Sequence, residues 1–335
     1  MKIKLSVCIP IYNFGHLIGE TLGTIIPQLT DDVEIVVVDG ASTDHTEEVM
    51  REYLAVEARL RYVRLGRKGG IDQDMASAVA LSRGSYCWLF SGDDYMQEHA
   101  LARVLAEIEM EPDLLLFRHW NCLYDMTPVN EHPVLQSSKD VAFDLSNEGE
   151  RLKYFRNAVT SEAFFSFMSG LVFRKSLWEK LPLKAEFIGS CWSHAARFIE
   201  LMAEGFLIKY IHHSYVLRRG DNDSFMDRGV VNRYRIAIEG YHRIAQYFFG
   251  ARSEEAFHIR RVIRNELPLR YFIYAKYMTR KDPKIESIEV LNHIAKLHFS
   301  DFSIRNLSSY LTIRLLPALL CEWCYLSYRR WIRPA

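Results

Sequence analysis

The sequence predicts an α/β protein, a mostly parallel sheet with flanking helices, followed by a helical C-terminal region. Three observations carry this reading. Four apolar runs rich in β-branched residues recur between residues 5 and 90, each followed by a stretch of helical period, and strand–helix alternation of that kind builds parallel sheets covered by helices. The polar clusters YN, DGASTD and SGDD each fall at the end of such a run, at the sheet edge where open parallel sheets bind ligands. From about residue 230 the strand signals fade, and Tyr, Arg and apolar residues recur at helical spacing instead.

The elements follow in order. LSVCIPI (5–11) reads as the first strand; it is too short for a signal peptide, carries Pro10 and lacks a small-residue cleavage site. Ile18, Leu22, Ile25 and Ile26 then share a helical face. Gly15, Gly19 and Gly23 are spaced by four, which suits close helix packing and not the G-x-G-x-x-G of a dinucleotide fold. VEIVVVD (33–39) is the second strand, and DHTE after it places Asp44 and Glu47 at capping-box positions. LRYVRL (60–65) and SYCWLF (85–90) are the third and fourth strands, and Leu101, Val104, Leu105 and Ile108 form the apolar face of the next helix. FLIKYI is a later strand, and Pro268 interrupts the helical C-terminal region.

Composition narrows the function. Forty-two basic and 42 acidic residues leave no net charge, so no bulk field favours nucleic acid. No segment reaches the ~20 apolar residues of a membrane span. The six cysteines are scattered, and only Cys321 and Cys324 have C-x-x-C spacing. Without a second pair, on a predicted helix, they read as packing residues. The expected compartment is a reducing cytoplasm.

GRKGG lacks the spacing and the Lys-Ser/Thr ending of a phosphate-binding loop. Acidic residues at the crevice would therefore hold phosphates through a divalent cation, since carboxylate and phosphate repel without one. Asp93 and Asp94 read as one side of a Mg²⁺ or Mn²⁺ site completed by a diphosphate. An exposed acidic pair at a helix N-terminus is the alternative.

SVCIPIYN, VEIVVVDGASTDHTEEV and GGIDQDMASAVALSRGSYCWLFSGDD together resemble, in order and spacing, family 2 glycosyltransferases of the GT-A fold. The likeness covers residues 4–110 and continues more weakly through 187–225, where RGDNDSF is similar to bacterial abequosyltransferases and related O-antigen sugar transferases. The resemblance implies a GT-A domain over 1–225, with a nucleotide-sugar half (1–110) and an acceptor half (111–225), and a helical region over 226–335. It implies that Pro10, Tyr12 and Asn13 border base and ribose, that Asp39 accepts from the base with Asp72 nearby, and that Asp93 coordinates the metal. Asp94 stands beside it, at both the metal and the catalytic centre. Ser91 replaces an acid of the usual motif and is left to bond the ribose.

The family's acceptor-side base is an aspartate opening a helix; here GSCWSHAARFIEL offers His194, with Glu186 a weaker stand-in. Imidazole can serve as a base near neutral pH. His194 also shares a face with Phe198 and Leu201, so a packed core histidine is the alternative, and inversion or retention is left open with it. Arg219 could neutralise diphosphate, while Asp221, Asn222 and Asp223 could bind sugar hydroxyls or complete the metal shell; an Asx-rich turn is the plain alternative. His212 and His213 point to opposite strand faces. Arg305, Arg314, Arg329, Arg330 and Arg333 among aromatic and leucine residues suit a helix at a membrane interface through 305–333, or one packed on the body. The expected partners are a CDP-, UDP-, GDP- or dTDP-linked sugar and a lipid-linked saccharide acceptor at the cytoplasmic face of an inner membrane, with no nucleic acid. A non-catalytic nucleotide-sugar-binding module competes with the enzyme. A nucleotidyltransferase lacks its glycine-rich loop.

Overall fold

A computed structural model gives the structure of the chain; it describes residues 2–223, 225–301 and 303–332, with side chains up to Tyr325. The chain forms two compact units, Met1–Asn222 and Asp223–Ala335.

In the first unit the described strands are β1 (Leu5–Ile11), β2 (Val33–Asp39), β3 (Leu60–Arg64), β4 (Tyr86–Leu89), β5 (Tyr95–Met96), β6 (Leu114–Cys122), β7 (Pro128–His132), β8 (Val141–Asp144), β9 (Leu171–Arg174) and β10 (Leu207–Arg218). They form one sheet in the order β3-β2-β1-β4-β9-β6-β10-β5, with β7 added to β6 and β8 to β10. The first four strands pair in parallel, as their alternation with helices predicts. The rest of the sheet is mixed: β9 runs antiparallel to β4 and β6, while β10 is parallel to β6. After β3 the chain crosses back to place β4 on the far side of β1. That reversal opens a crevice at the carboxyl ends of β1 and β4.

Every residue of β1 and β2 is buried, the mark of parallel strands covered on both faces. Of their two buried acids, Asp39 ends β2 at the crevice, and Glu34 is satisfied by the Ser6 hydroxyl at 2.8 Å and the Arg83 N–H at 2.6 Å. The flanking helices are α1 (Ile18–Ile25), α2 (Thr46–Val56), α3 (Ile71–Leu81), α4 (Ala100–Ile108), α5 (Glu148–Asn157), α6 (Lys175–Glu179) and α7 (Ser193–Glu204). Gly15 and Gly19 do lie close against α2, whereas Gly23 faces open space. The capping box forms only by half. Asp44 accepts from the N–H of Thr46 and, across the loop, of Gly15, both within 3.1 Å. Glu47 turns outward to Arg51 and Arg64.

The second unit is helical: α8 (Val230–Phe249), α9 (Glu254–Glu266), α10 (Leu269–Lys281), α11 (Ile288–His298), α12 (Ile304–Leu315) and α13 (Ala318–Ile332). Pro268 separates α9 from α10, and Pro317 separates α12 from α13. Glu286 caps α8 by accepting from the N–H groups of Val230 and Val231, where the helix dipole favours an anion. Cys321 is buried on α13, in keeping with a packing role. Among the described residues no helix is long and apolar enough to cross a membrane. The side chains of Arg329, Arg330 and Arg333 lie outside the described residues.

Candidate active site

Asp93 follows β4 at the crevice. Its Oδ1 accepts from the Ser91 hydroxyl and its Oδ2 from Asn222 Nδ2 at 2.7 Å. Ser91, expected at the ribose, thus spends its hydroxyl on orienting Asp93, and the loop after β10 reaches the same carboxylate through Asn222. Gly220 lets it do so, because a Cβ there would meet the Cys122 carbonyl oxygen at 2.2 Å. Asp221 is exposed with a left-handed φ of 54°. Each Asp93 oxygen has a second lone pair, so the carboxylate can ligate a cation while keeping both bonds. Oxygen donors suit Mg²⁺ or Mn²⁺, and Mg²⁺ is commonly held by one or two carboxylates plus phosphates and water. The residues fit a metal anchored by Asp93.

Asp94 departs from expectation. It is buried, its Oδ2 accepting from Ser169 Oγ at 2.7 Å and its Oδ1 from the Arg219 N–H at 3.1 Å. Burial, reinforced by the Asp93 charge, pushes its carboxyl up to about 8. Lying in the turn between β4 and β5, it has both oxygens engaged by Ser169 and the Arg219 main chain. Arg219 also differs from its expected role at a diphosphate. Its guanidinium donates to the carbonyls of Asp93 (2.9 Å) and Tyr124 and to Glu20 Oε2 (2.6 Å), between the rings of Tyr95 and Tyr124. It is a clamp, with Nε, Nη1 and Nη2 each donating one bond within the protein. Arg218, half-buried, is the cation whose charge favours the ionised form of Asp94.

On the nucleotide side, Pro10 lies in β1 opposite Val38. Tyr12 follows it, with Lys68 Nζ 3.5 Å above its ring centre. Asn13, at φ 59°, braces the next loop: its N–H donates to Ser42 Oγ and its side-chain oxygen accepts from the Thr43 N–H, both at 2.8 Å. Asp39 is buried, accepting from the Ser42 N–H at 2.7 Å and the Tyr62 hydroxyl at 2.5 Å.

Asp72 is not its neighbour. Asp72 accepts from the N–H groups of Gly189 (2.8 Å), Cys191 (3.0 Å) and Ser193 (3.1 Å), tying α3 to the start of α7. The acid beside Asp39 is Asp74. Residues two apart on a helix point about 200° apart, so one faces α7 and the other the crevice. Asp74 is buried, its Oδ1 has no hydrogen-bond partner, and burial and then the Asp39 charge push its carboxyl up to about 6. Gly40 leaves room for it, since a Cβ there would meet Asp74 Oδ2 at 2.5 Å and push the carboxylate aside. Alongside lies a hollow of about 390 Å³ lined by Leu65, Gly66, Arg67, Gly69, Gln73 and Ser77.

His194 occupies the second position of α7, buried, with Nε2–H donated to the Phe165 carbonyl at 2.9 Å and Nδ1 without a partner. Burial lowers its pKa and keeps it neutral. This geometry is that of a packed core histidine. Glu186 is exposed on the turn Ala185–Phe187. His212 and His213 go to different arginines, Arg118 and Arg103. Ser169 gave no signal in sequence, yet it also accepts the Ser91 N–H at 2.9 Å and so couples the SGDD turn to the segment leading into β9.

Comparison with known proteins fits this geometry. Residues 6–179, just over half of the chain, match the family described as Glycosyl transferase family 2. An abequosyltransferase of Salmonella typhimurium is 29% identical over 73% of this chain and 75% of its own. The glycosyltransferase GlyG of Streptococcus pneumoniae is 28% identical over 39% of this chain, which spans under half of that relative, 43%. Among solved structures, S. aureus TarS 1–349 in complex with UDP-GlcNAc superposes with a TM-score of 0.57 at 19% identity, over 98% of this chain and 92% of that one. A mannosyltransferase of Pyrobaculum calidifontis in complex with GDP-Man and Mn²⁺ gives 0.53 at 16% identity, over 100% and 89%.

Proposed function

Since the chain belongs to glycosyl transferase family 2 and is a glycosyltransferase, we propose that it moves a sugar from a nucleotide donor to a lipid-linked saccharide with the help of Mg²⁺ or Mn²⁺. The observation that carries the reading is Asp93, held by Ser91 and Asn222 at the carboxyl end of β4. When bound, the divalent ion supplies charge neutralisation of the diphosphate leaving group. Asp93 anchors it, while Ser91, Asn222 and, through the main chain, Arg219 fix that carboxylate in place. Arg218 is the cation we assign to the diphosphate, in place of Arg219. Asp39 and Asp74 present acceptors towards the base, and Tyr12 and Lys68 border it. The similarity to the Salmonella abequosyltransferase supports a 3,6-dideoxyhexose such as abequose, from a CDP donor, and a role in O-antigen or related polysaccharide synthesis.

For the acceptor-side base we keep His194 on its position at the start of α7 and its unpartnered Nδ1. Its burial and its bond to Phe165 weigh against it. We assign the nucleotide-sugar and acceptor roles to 1–110 and 111–225, and membrane attachment at a cytoplasmic face to the helical region. Ile304, Leu307, Leu311 and Leu315 leave an exposed apolar stripe on α12 with Arg305 and Arg314 exposed beside it. Such a face suits anionic lipid. Glutamates at Leu307 and Leu315 should abolish flotation with anionic vesicles; unchanged flotation would remove the membrane assignment.

The deciding experiment is donor hydrolysis over CDP-, UDP-, GDP- and dTDP-sugars with Mn²⁺, Mg²⁺ or EDTA, on wild type, Asp93→Asn and His194→Gln. We expect slow release of one nucleotide, lost with EDTA and in Asp93→Asn. Release indifferent to both would sink the metal reading, and tight donor binding without turnover, even with acceptor, would favour a non-catalytic binding module. His194→Gln keeps a donor for the Phe165 carbonyl; full transfer to acceptor by that variant would place the base elsewhere.

A further inference from the structure

Away from the Asp93 cluster, β6 and β7 pair so that His119 stands directly opposite His132. The two rings stack with centroids 4.7 Å apart and planes at 20°. The turn Ser161–Phe164 brings Glu162 to the same point, Oε2 lying 3.0 Å from His132 Nε2. One ligand atom from each of the three residues falls within 4.8 Å of the others. His119 is the unusual member. It is wholly buried against Phe167, and neither ring nitrogen has a hydrogen-bond partner. A buried polar atom left in that state costs free energy, and an ion pair between His132 and Glu162 alone does nothing to relieve it.

We propose that His119, His132 and Glu162 form a Zn²⁺ site in the acceptor half, separate from the catalytic metal. Two imidazoles and a carboxylate are a recurrent zinc donor set, with a fourth position open to water. Nitrogen donors select against Mg²⁺ and Ca²⁺. Zinc holds its ligands at about 2.0–2.2 Å, hence roughly 3.4 Å apart in a tetrahedron, so the three side chains close by at most about 1.4 Å. Asn121 supplies the outer support: its side-chain amide lies 3.2 Å from His132 Nδ1. That amide presents Nδ2 to the ring while its Oδ1 accepts from Arg218 Nη1, and so holds the His132 ring with Nε2 towards Glu162. His132 and Glu162 are partly exposed, which gives the ion its way in. Bound there, the ion pins the β6–β7 hairpin to the 161–164 turn. None of this depends on the glycosyl-transfer reading.

The test uses the full, tag-free chain, stripped with chelator and then titrated with Zn²⁺ against a chromophoric competitor, with metal counted by elemental analysis. We expect one Zn²⁺ per chain that survives Asp93→Asn. His132→Gln and Glu162→Gln should each weaken binding at least tenfold. Both change the partly exposed side of the site, so the buried core at His119 is left intact, and circular dichroism checks their folding. Co²⁺ in place of Zn²⁺ should show the visible bands of a nitrogen-ligated ion in wild type and lose them in both variants. Absence of Zn²⁺ binding, or binding unchanged by both substitutions, would overturn the site.

Discussion

Asp72→Ala should destabilise the first unit severely while leaving nucleotide affinity intact. The carboxylate accepts three backbone N–H groups, from Gly189, Cys191 and Ser193. A hydrogen bond to a charged partner contributes about 1.5–3 kcal/mol, and an orphaned buried donor costs a further ~1–3 kcal/mol. Gly189 is exposed and Cys191 half-exposed, so water can take over much of their share; Ser193 is buried and has no such substitute. The net expectation is about 4 kcal/mol for alanine, and about 2 kcal/mol for asparagine, which keeps one acceptor oxygen. For a unit of this size each kcal/mol moves the midpoint by about 2–4 °C, so Asp72→Ala should melt roughly 10 °C early by calorimetry. Nucleotide binding, followed by titration calorimetry below that melting point, should change less than threefold. A midpoint within 2 °C of wild type, with nucleotide bound tenfold more weakly, would refute the argument and return Asp72 to the donor site.

Arg219→Met should cost about 2–3 kcal/mol in urea unfolding, because it strips a buried guanidinium from Glu20 and from two carbonyls, with Glu20 half-exposed and able to find water. Arg218→Ala should instead keep wild-type stability within about 1 kcal/mol and lose on the order of 10–100-fold in donor turnover; the reverse pattern would exchange the two roles. In the second unit, burial lowers the pKa of His242 and of His298 to about 3, with Arg260 and Arg264 opposing protonation, Asp301 favouring it at His298, and the Leu267 carbonyl accepting His298 Nε2–H. Below about pH 6.5 the unfolded chain binds these protons and the folded one does not, so stability is present above that pH and falls between 6.5 and 3, by about 1.4 kcal/mol per histidine at pH 5.5. His298→Gln, which can still donate to Leu267, should flatten the decline in melting temperature from pH 7.5 to 5.5; an unchanged slope would remove His298 from the account.

Much of the fold was legible because its signals are local. The runs at 5–11 and 33–39 coincide with β1 and β2 to the residue, since strands buried on both faces are predominantly apolar. The run 60–65 exceeds β3 by one residue at its carboxyl end, and 85–90 exceeds β4 by one residue at each end. Proline marks the joints of the helical unit at 268 and 317 for the same kind of reason: it has no N–H to continue a helix. The acceptor half was harder to read. β9 takes its place by antiparallel pairing with β4 and β6, both distant in sequence, and nothing within LVFR announces which strands will accept it; β7 folds back on β6, but PVNEH carries no apolar alternation to mark it as a strand.

The site residues divide along a similar line, and side-chain direction is what divides them. SGDD points to the crevice from sequence, but position alone does not separate Asp93 from Asp94; the turn between β4 and β5 gives one to Ser91 and Asn222 and the other to Ser169, some 75 residues away. On α3 a two-residue offset sends Asp72 to α7 and Asp74 to Asp39, so a motif matched in order can still assign the wrong acid when the element carrying it is a helix. Arg219 makes the case from the other side. A cation in a loop that returns to an acidic crevice invites a phosphate, yet its donors are taken by Glu20 and two carbonyls contributed by separate parts of the chain. His119 could not be read at all, because its meaning lies in two facts sequence does not contain: the β6–β7 register that sets His132 across from it, and the burial that leaves both its nitrogens without a partner. Residue type therefore locates the chemistry of this crevice, while register and helical phase decide which of two neighbouring candidates performs it.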